Sequence, residues 1–201
     1  MRSRRSAFGG SVLCVALSSA SAQNVYPANM TGQPLQYMHD GAISGCGLRI
    51  VAVEVADDLS SEASELSLNF YDSGVAIVKA TAYAPIPLRK PTPQPVKVAS
   101  AWAKAPGANA TKPLGVAEVG EDHLSQVYAT DLENALAIVG AQTAGTPVQI
   151  SVRRPLQRTY RILSGVVTMS PAEGVQLRSC LSELVEKMQS KLPDAEASSP
   201  Q

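Results

Sequence analysis

The side chains able to do chemistry in this chain are few. Its only histidines are His39 and His123. His39-Asp40 sets an imidazole beside one carboxylate, and Glu121-Asp122-His123 sets one beside two, the pairing that general acid–base catalysis uses. No nucleophile motif joins either of them, for G-x-S-x-G, S-x-x-K, H-E-x-x-H and the P-loop are all missing. Gly45-Cys46-Gly47 begins a G-x-G, but Ile50 stands where the third glycine of a dinucleotide fingerprint belongs. Each histidine therefore reads as part of a solvated turn, and no catalytic residue is assigned. A small hydrolase whose site assembles from distant residues, as triads do in space, is the enzymatic alternative.

Arg153, Arg154, Arg158 and Arg161 form the one local concentration of charge, with no acid among them. Guanidinium groups suit phosphates and carboxylates, so these four are the candidate anion-binding residues, for an anionic surface, a lipid headgroup or a glycan. Strand geometry argues against a single patch. Neighbours along a strand point to opposite faces, so Arg153 and Arg154 diverge, and Arg158 and Arg161 diverge on the return strand. The favoured reading is a solvated hairpin whose arginines pair with acids elsewhere.

The cysteines point to a compartment. Residues 1–22 combine Arg2, Arg4 and Arg5, an apolar run from Val12 to Leu17, and Ala20-Ser21-Ala22 as an A-x-A cleavage site. That is the pattern of a secretory signal, and its apolar run is too short for a bilayer span. Removing it takes Cys14 and leaves Cys46 and Cys180, which an exported chain is expected to pair. With two cysteines and two histidines, metal ligation is not expected. Glycines on either side of Cys46 would let the backbone approach a neighbouring element closely. The cleaved chain keeps 14 basic against 17 acidic groups, a formal −3. That balance argues against a general nucleic-acid binder. No later segment is apolar for long enough to span a membrane.

The elements that must position these residues follow from patterning. Residues 23–42 lack periodicity and read as an irregular arm. A strand runs from Cys46 to Val55. Leu66, Leu68 and Phe70 alternate with polar neighbours, Asp72-Ser73-Gly74 turns the chain, and alternation resumes from Val75, which predicts a β-hairpin. The prolines at 85, 87, 91, 93 and 95 read as a stiff extended crossover. A strand carrying Trp102 follows, then a loop over 106–115.

Thr130-Asp131-Leu132-Glu133 reads as a capping box opening a helix, with Leu132, Ala135, Leu136 and Val139 inward and Gly140 or Gly145 as its end. A second hairpin spans "TPVQISVRR" and "RTYRILSG", turning at Pro155-Leu156-Gln157. Ser170-Pro171-Ala172-Glu173 starts a C-terminal amphipathic helix whose apolar stripe is read as Val175, Leu177, Cys180, Leu181, Leu184 and Met188. Residues 193–201 read as a disordered tail.

Taken together, residues 43–192 predict one α+β domain, an antiparallel β-sheet with about two helices packed on one face. The expected function is a non-catalytic binding or structural module, periplasmic or secreted, with no cofactor. Another envelope protein is a candidate partner, and an accessory role in an envelope or secretion assembly is the further alternative.

Overall fold

A computed structural model describes residues 24–54, 62–84 and 93–190. The segments read as a secretory signal (1–22) and a C-terminal tail (193–201), and most of the proline-rich crossover, lie outside the described residues. Ten strands and two helices make up the rest. The strands are β1 (Val25–His39), β2 (Ala42–Glu54), β3 (Ala63–Tyr71), β4 (Ala76–Tyr83), β5 (Pro95–Val96), β6 (Ser100–Lys104), β7 (Glu118–Val119), β8 (Gln126–Thr130), β9 (Pro147–Arg153) and β10 (Arg161–Thr168). Helix α1 (Leu132–Thr143) links β8 to β9, and α2 (Pro171–Ser190) follows β10.

The architecture is α+β, with strands dominant. The sheet runs β6-β9-β10-β1-β2-β3-β4-β8-β7, and β5 adds to β4. It is mostly antiparallel, but β1 and β10 pair in parallel, with Val25 opposite Ile162 and Met30 opposite Val167. The expected purely antiparallel sheet is corrected at that one ladder.

The reading of 23–42 as an irregular arm is corrected too. These residues form the fifteen-residue strand β1, paired on both edges. Alternation is present, but Tyr26, Ala28, Met30, Gly32 and Pro34 carry it, a set too small and mixed to register as hydrophobic. Asp40 and Gly41 both take positive φ (50° and 77°), as the two central residues of a type I′ hairpin turn must. That Asp-Gly pair was the available signal for a β1–β2 hairpin.

The sheet curls until its ends nearly meet. Beyond β6, Val98 N–H donates to the carbonyl of Leu124 (2.8 Å) and the Gln126 amide donates to that of Ala99 (3.2 Å). Thr111 spans the remaining gap. Its N–H donates to the Ala103 carbonyl (2.8 Å), and its Oγ1 accepts from the Ala103 N–H (2.9 Å). Tyr128 Oη lies 3.1 Å from Thr111 Oγ1 and donates to the Ala101 carbonyl (3.1 Å). The seam is thus closed by isolated backbone bonds and by side chains rather than by a continuous ladder. Burial pushes the Tyr128 phenol up to about 12, so it keeps its proton for that bond.

The concave side holds one continuous core. Cys46, Leu48, Ile50 and Ala52 of β2 are fully buried, as are Leu66, Val78, Ala80 and Ile150. Many of the buried positions are alanines, among them Ala76, Ala82, Ala101 and Ala103, which suits a chain with 4% aromatic residues. Ala135, Ile138 and Val139 of α1 join the same core as Leu177, Cys180 and Leu184 of α2. The helices differ from expectation in detail. Asp131, not Thr130, caps α1, its side chain accepting from the Asn134 N–H at 3.0 Å. Thr130 ends β8 instead, and its hydroxyl donates to the Lys112 carbonyl. Leu136 is exposed and Ile138 takes its inward place. Gly145, with φ of 65°, follows the last turn. The α2 start is as read: the Ser170 N–H donates to the Glu173 carboxylate (2.8 Å) and the Glu173 N–H to the Ser170 hydroxyl (3.3 Å), a capping box.

Cys46 and Cys180 are bonded, joining β2 to α2 across a sequence separation of 134. The flanking glycines serve the opposite face. In a strand, neighbours alternate in direction, so Gly45 and Gly47 point away from the disulfide. A Cβ on Gly45 would sit 2.9 Å from the Phe70 carbonyl oxygen and 2.9 Å from the Tyr71 ring, and 3.2 Å from the Tyr37 ring. On Gly47 it would sit 2.8 Å from Asn69 Oδ1. Tyr37 and Tyr71 stack over this gap with ring centroids 5.6 Å apart, and the Tyr37 hydroxyl donates to Asn69 (2.7 Å). The glycines therefore make room for two tyrosines on the convex face while the cysteine between them holds the helix.

Candidate functional site

The β9–β10 hairpin divides its four arginines between two faces. Arg154 and Arg161 turn toward the end of the curled sheet where β2 finishes and β3 begins. Arg161 pairs with Glu54 through Nη2, and its Nε lies 3.3 Å from Glu62. The Nε contact is an ion pair without hydrogen-bond alignment, since Arg161 Nε has no hydrogen-bond partner. Arg154 reaches Glu62 at 3.4 Å and donates to the Tyr83 carbonyl at 2.7 Å. The Arg161 guanidinium also lies 4.2 Å over the Tyr26 ring, a cation–π contact.

Two arginines and two glutamates thus balance, around a space lined also by Ser64, Gln157 and Leu163 with room for little more than a water. Burial works against the Arg161 charge, but the Glu54 hydrogen bond and the charges of Glu62 and Glu54 outweigh it and hold its pKa above the ordinary value. These two arginines pair with acids elsewhere in the chain, as the hairpin reading expects.

Arg153 and Arg158 are placed differently. Arg153 is half-buried on the outer face, where its Nε donates to Ser100 Oγ (2.9 Å) and its Nη1 to the Gln157 carbonyl (3.3 Å). Its guanidinium carbon stands 5.7 Å from the Tyr160 ring centre, and Trp102 and Tyr160 lie 6.2 Å apart. Arg158 is exposed, with no ion pair among the described residues. Sequence alternation separated Arg153 from Arg154 correctly. It did not reveal that Tyr160 packs against Arg153 with Trp102 on its other side, because Trp102 sits on β6 and meets β9 only through a long-range ladder.

Among the described residues the histidines do not assemble with a nucleophile. His39 closes β1 with its ring 3.4 Å from Asp40, and both side chains are more than three-quarters exposed (81% and 90%). His123 is exposed at a positive φ of 57° in the turn between β7 and β8. The neighbouring carboxylate has a structural role. Asp122 accepts from the backbone N–H groups of Ser125 (2.7 Å) and Leu124 (2.9 Å) and from the Ser125 hydroxyl (2.8 Å). Lys79 adds an ion pair at 3.4 Å.

Those bonds, the Ser125 N–H first, hold Asp122 far below the usual carboxylate range. A carboxylate with a depressed folded pKa contributes stability that is complete above its unfolded pKa, about 3.9, and is lost as pH falls toward the folded value. Denaturant unfolding of wild type and Asp122→Asn is expected to show a constant gap above about pH 5 that narrows on acidification below about 4. Parallel curves throughout that range would show that Asp122 is not tuned by these bonds.

No group of three or more His, Cys, Asp or Glu side chains among the described residues is placed to hold a metal ion. No helix among them is long and apolar enough to cross a membrane. Comparison with protein-family models, with curated proteins and with solved structures finds no match.

Proposed function

We propose that this chain is a non-catalytic binding module of the periplasm or cell exterior that takes an anionic ligand on the outer face of β6, β9 and β10. One observation carries the reading. These three strands and the 154–160 connection contain Lys104, Arg153, Arg154, Arg158 and Arg161 and no acid. Glu54 and Glu62 neutralise two of the five, while Lys104, Arg153 and Arg158 have no acidic partner among the described residues. An uncompensated basic face of this kind attracts anions, and does so less as salt screens it. The Cys46–Cys180 disulfide supports the address, because such bonds persist in oxidising compartments.

Two measurements test the proposal. Intact mass of the chain from the envelope fraction should match a protein beginning at Gln23, and a chain retaining Met1 would remove the export reading. Affinity electrophoresis in dextran sulfate should retard the wild type more than neutral dextran does. The retardation should weaken with added salt and fall in Lys104→Ala/Arg158→Ala. Equal mobility in both gels would remove anion binding as the function.

A further inference from the structure

We infer that the outer face of β6 and β9 holds a binding site for an acidic sugar, resting on the anion-binding reading above and giving it a ligand class. Register places the parts side by side. Lys104, Gln149 and Ser164 lie opposite one another across β6, β9 and β10. Together with Pro106, Gly107 and Pro147 they line an open cavity of about 270 Å³. That is near the lower end of small-molecule sites, which start at about 300 Å³. Lys104, Gln149 and Ser164 have no hydrogen-bond partner among the described residues, although their strands are fully laddered. Between them they offer ammonium, amide and hydroxyl donors and two kinds of oxygen acceptor.

Trp102 lies two residues from Lys104 on the same face, so its indole is about 7 Å along the strand. It is the only tryptophan of the chain, and it lies partly buried on the outer face rather than in the core. The Tyr160 ring stands beside it, and Arg153 is fixed between Tyr160 and Ser100.

This combination selects its ligand. A pyranose has an apolar C–H face that suits an aromatic ring and a rim of hydroxyls that suits amide and hydroxyl side chains. A carboxylate or phosphate on that sugar would meet Lys104 at the cavity, with Arg153 four strand positions away beyond Trp102 as a second cation for a longer acidic saccharide, and neither has an acid near it on β6, β9 or β10. A bilayer surface would call for side chains projecting outward, whereas Gln149 and Ser164 sit at a recess.

The lone tryptophan makes the site its own reporter. Trp102 fluorescence of the folded, disulfide-bonded chain would be followed on adding oligogalacturonate, muramic-acid-containing glycan fragments or a phosphorylated hexose, with cellotriose as the neutral control. At least one acidic sugar should shift the emission saturably and exceed cellotriose at low salt. Lys104→Ala and Gln149→Ala should keep the unliganded spectrum, and Lys104→Ala should weaken binding about 10-fold, the loss expected for a charge-assisted hydrogen bond. Trp102→Phe, followed by calorimetry, should weaken binding while leaving the melting temperature close to that of wild type.

Absence of a response to all three acidic sugars, or a response unchanged in Lys104→Ala, overturns the site. If dextran sulfate still retards the chain, the anion-binding reading stands and only the sugar assignment falls. Binding to anionic vesicles that quenches Trp102 while every sugar is silent assigns the face to a lipid surface instead.

Discussion

Replacing Cys46 and Cys180 together with alanine is expected to cost about 2–5 kcal/mol of stability. The bond closes a loop of 134 residues, for which the chain-entropy model gives about 5 kcal/mol as the larger figure. The tether matters structurally because it is the only covalent link between the sheet and α2 among the described residues. Beyond it, α2 is held by Leu177 and Leu184 in the core and by Lys187, which donates to the Ile43 carbonyl (2.8 Å) and pairs with Asp72 (3.0 Å).

Denaturant unfolding of three species separates the contributions: the oxidised chain, the same chain with both thiols reduced, and the double alanine variant. The reduced chain retains both sulfur atoms, so its deficit reports the cross-link. The further loss in the alanine variant reports packing. Because Cys46 is fully buried and Cys180 is 3% exposed, the native chain should resist alkylation until reductant and denaturant are both present. Ready alkylation of both thiols without reductant would show that the bond does not form in the native protein, and equal stability of oxidised and reduced chains would show that the cross-link contributes nothing to the fold.

Arg161→Met should be the most damaging change in the β9–β10 hairpin, costing about 3 kcal/mol, the lower end for a severed buried pair. It strands Glu54, whose side chain is only 6% exposed, while Arg161 keeps 34% of its own exposure and so moderates the effect. The loss arises from the glutamate left without its cation, which gives the test its control. Glu54→Gln/Arg161→Met should recover much of the deficit, because the buried charge is removed along with its partner. A single-variant cost below about 0.5 kcal/mol would place this pair with ordinary surface ion pairs. By contrast, Arg158→Ala should leave stability near that of wild type, since Arg158 is exposed and makes no ion pair among the described residues.

Sequence patterning located the β3–β4 hairpin, the β9–β10 hairpin and the start of α2, where the signal is local. A turn or a capping box is written in four consecutive residues. The disulfide was legible for a different reason: compartment and count left Cys46 with one partner. What escaped was whatever depends on pairing across the chain. Strand β1 is stabilised by β10, more than 130 residues away, and needs little hydrophobicity of its own. Thr130 gave up its cap to Asp131 because β8 claimed it for the ladder with Ala76. The glycines beside Cys46 were read as serving the disulfide, yet their contacts are Tyr37, Asn69 and Tyr71 on the other face. Of the candidate site, the divergence of Arg153 from Arg154 was readable, whereas Arg158 lies in the 154–160 connection and not on the return strand where alternation had been applied to it. The partners Glu54 and Glu62 and the neighbour Trp102 were not readable, since only the curl of the sheet brings them together.

The parallel pairing of β1 with β10 sets an order of events for folding. The strand nearest the beginning of the described chain cannot complete its edges until the last strand has been delivered. Hairpins β1–β2, β3–β4 and β9–β10 can form as each emerges, on the microsecond scale of isolated hairpins. Joining the first hairpin to the last must then wait for the whole span between them, which is a high-contact-order step and a slow one. Until it happens, β1 offers one open edge, the state in which strands add to the wrong neighbour. Chain delivered from its N-terminus would spend its most vulnerable interval with β2, β3 and β4 already paired and β1 still half-clothed. The disulfide must also wait for delivery of β10, because Cys180 lies beyond it, so both long-range closures of the fold depend on the last part of the chain.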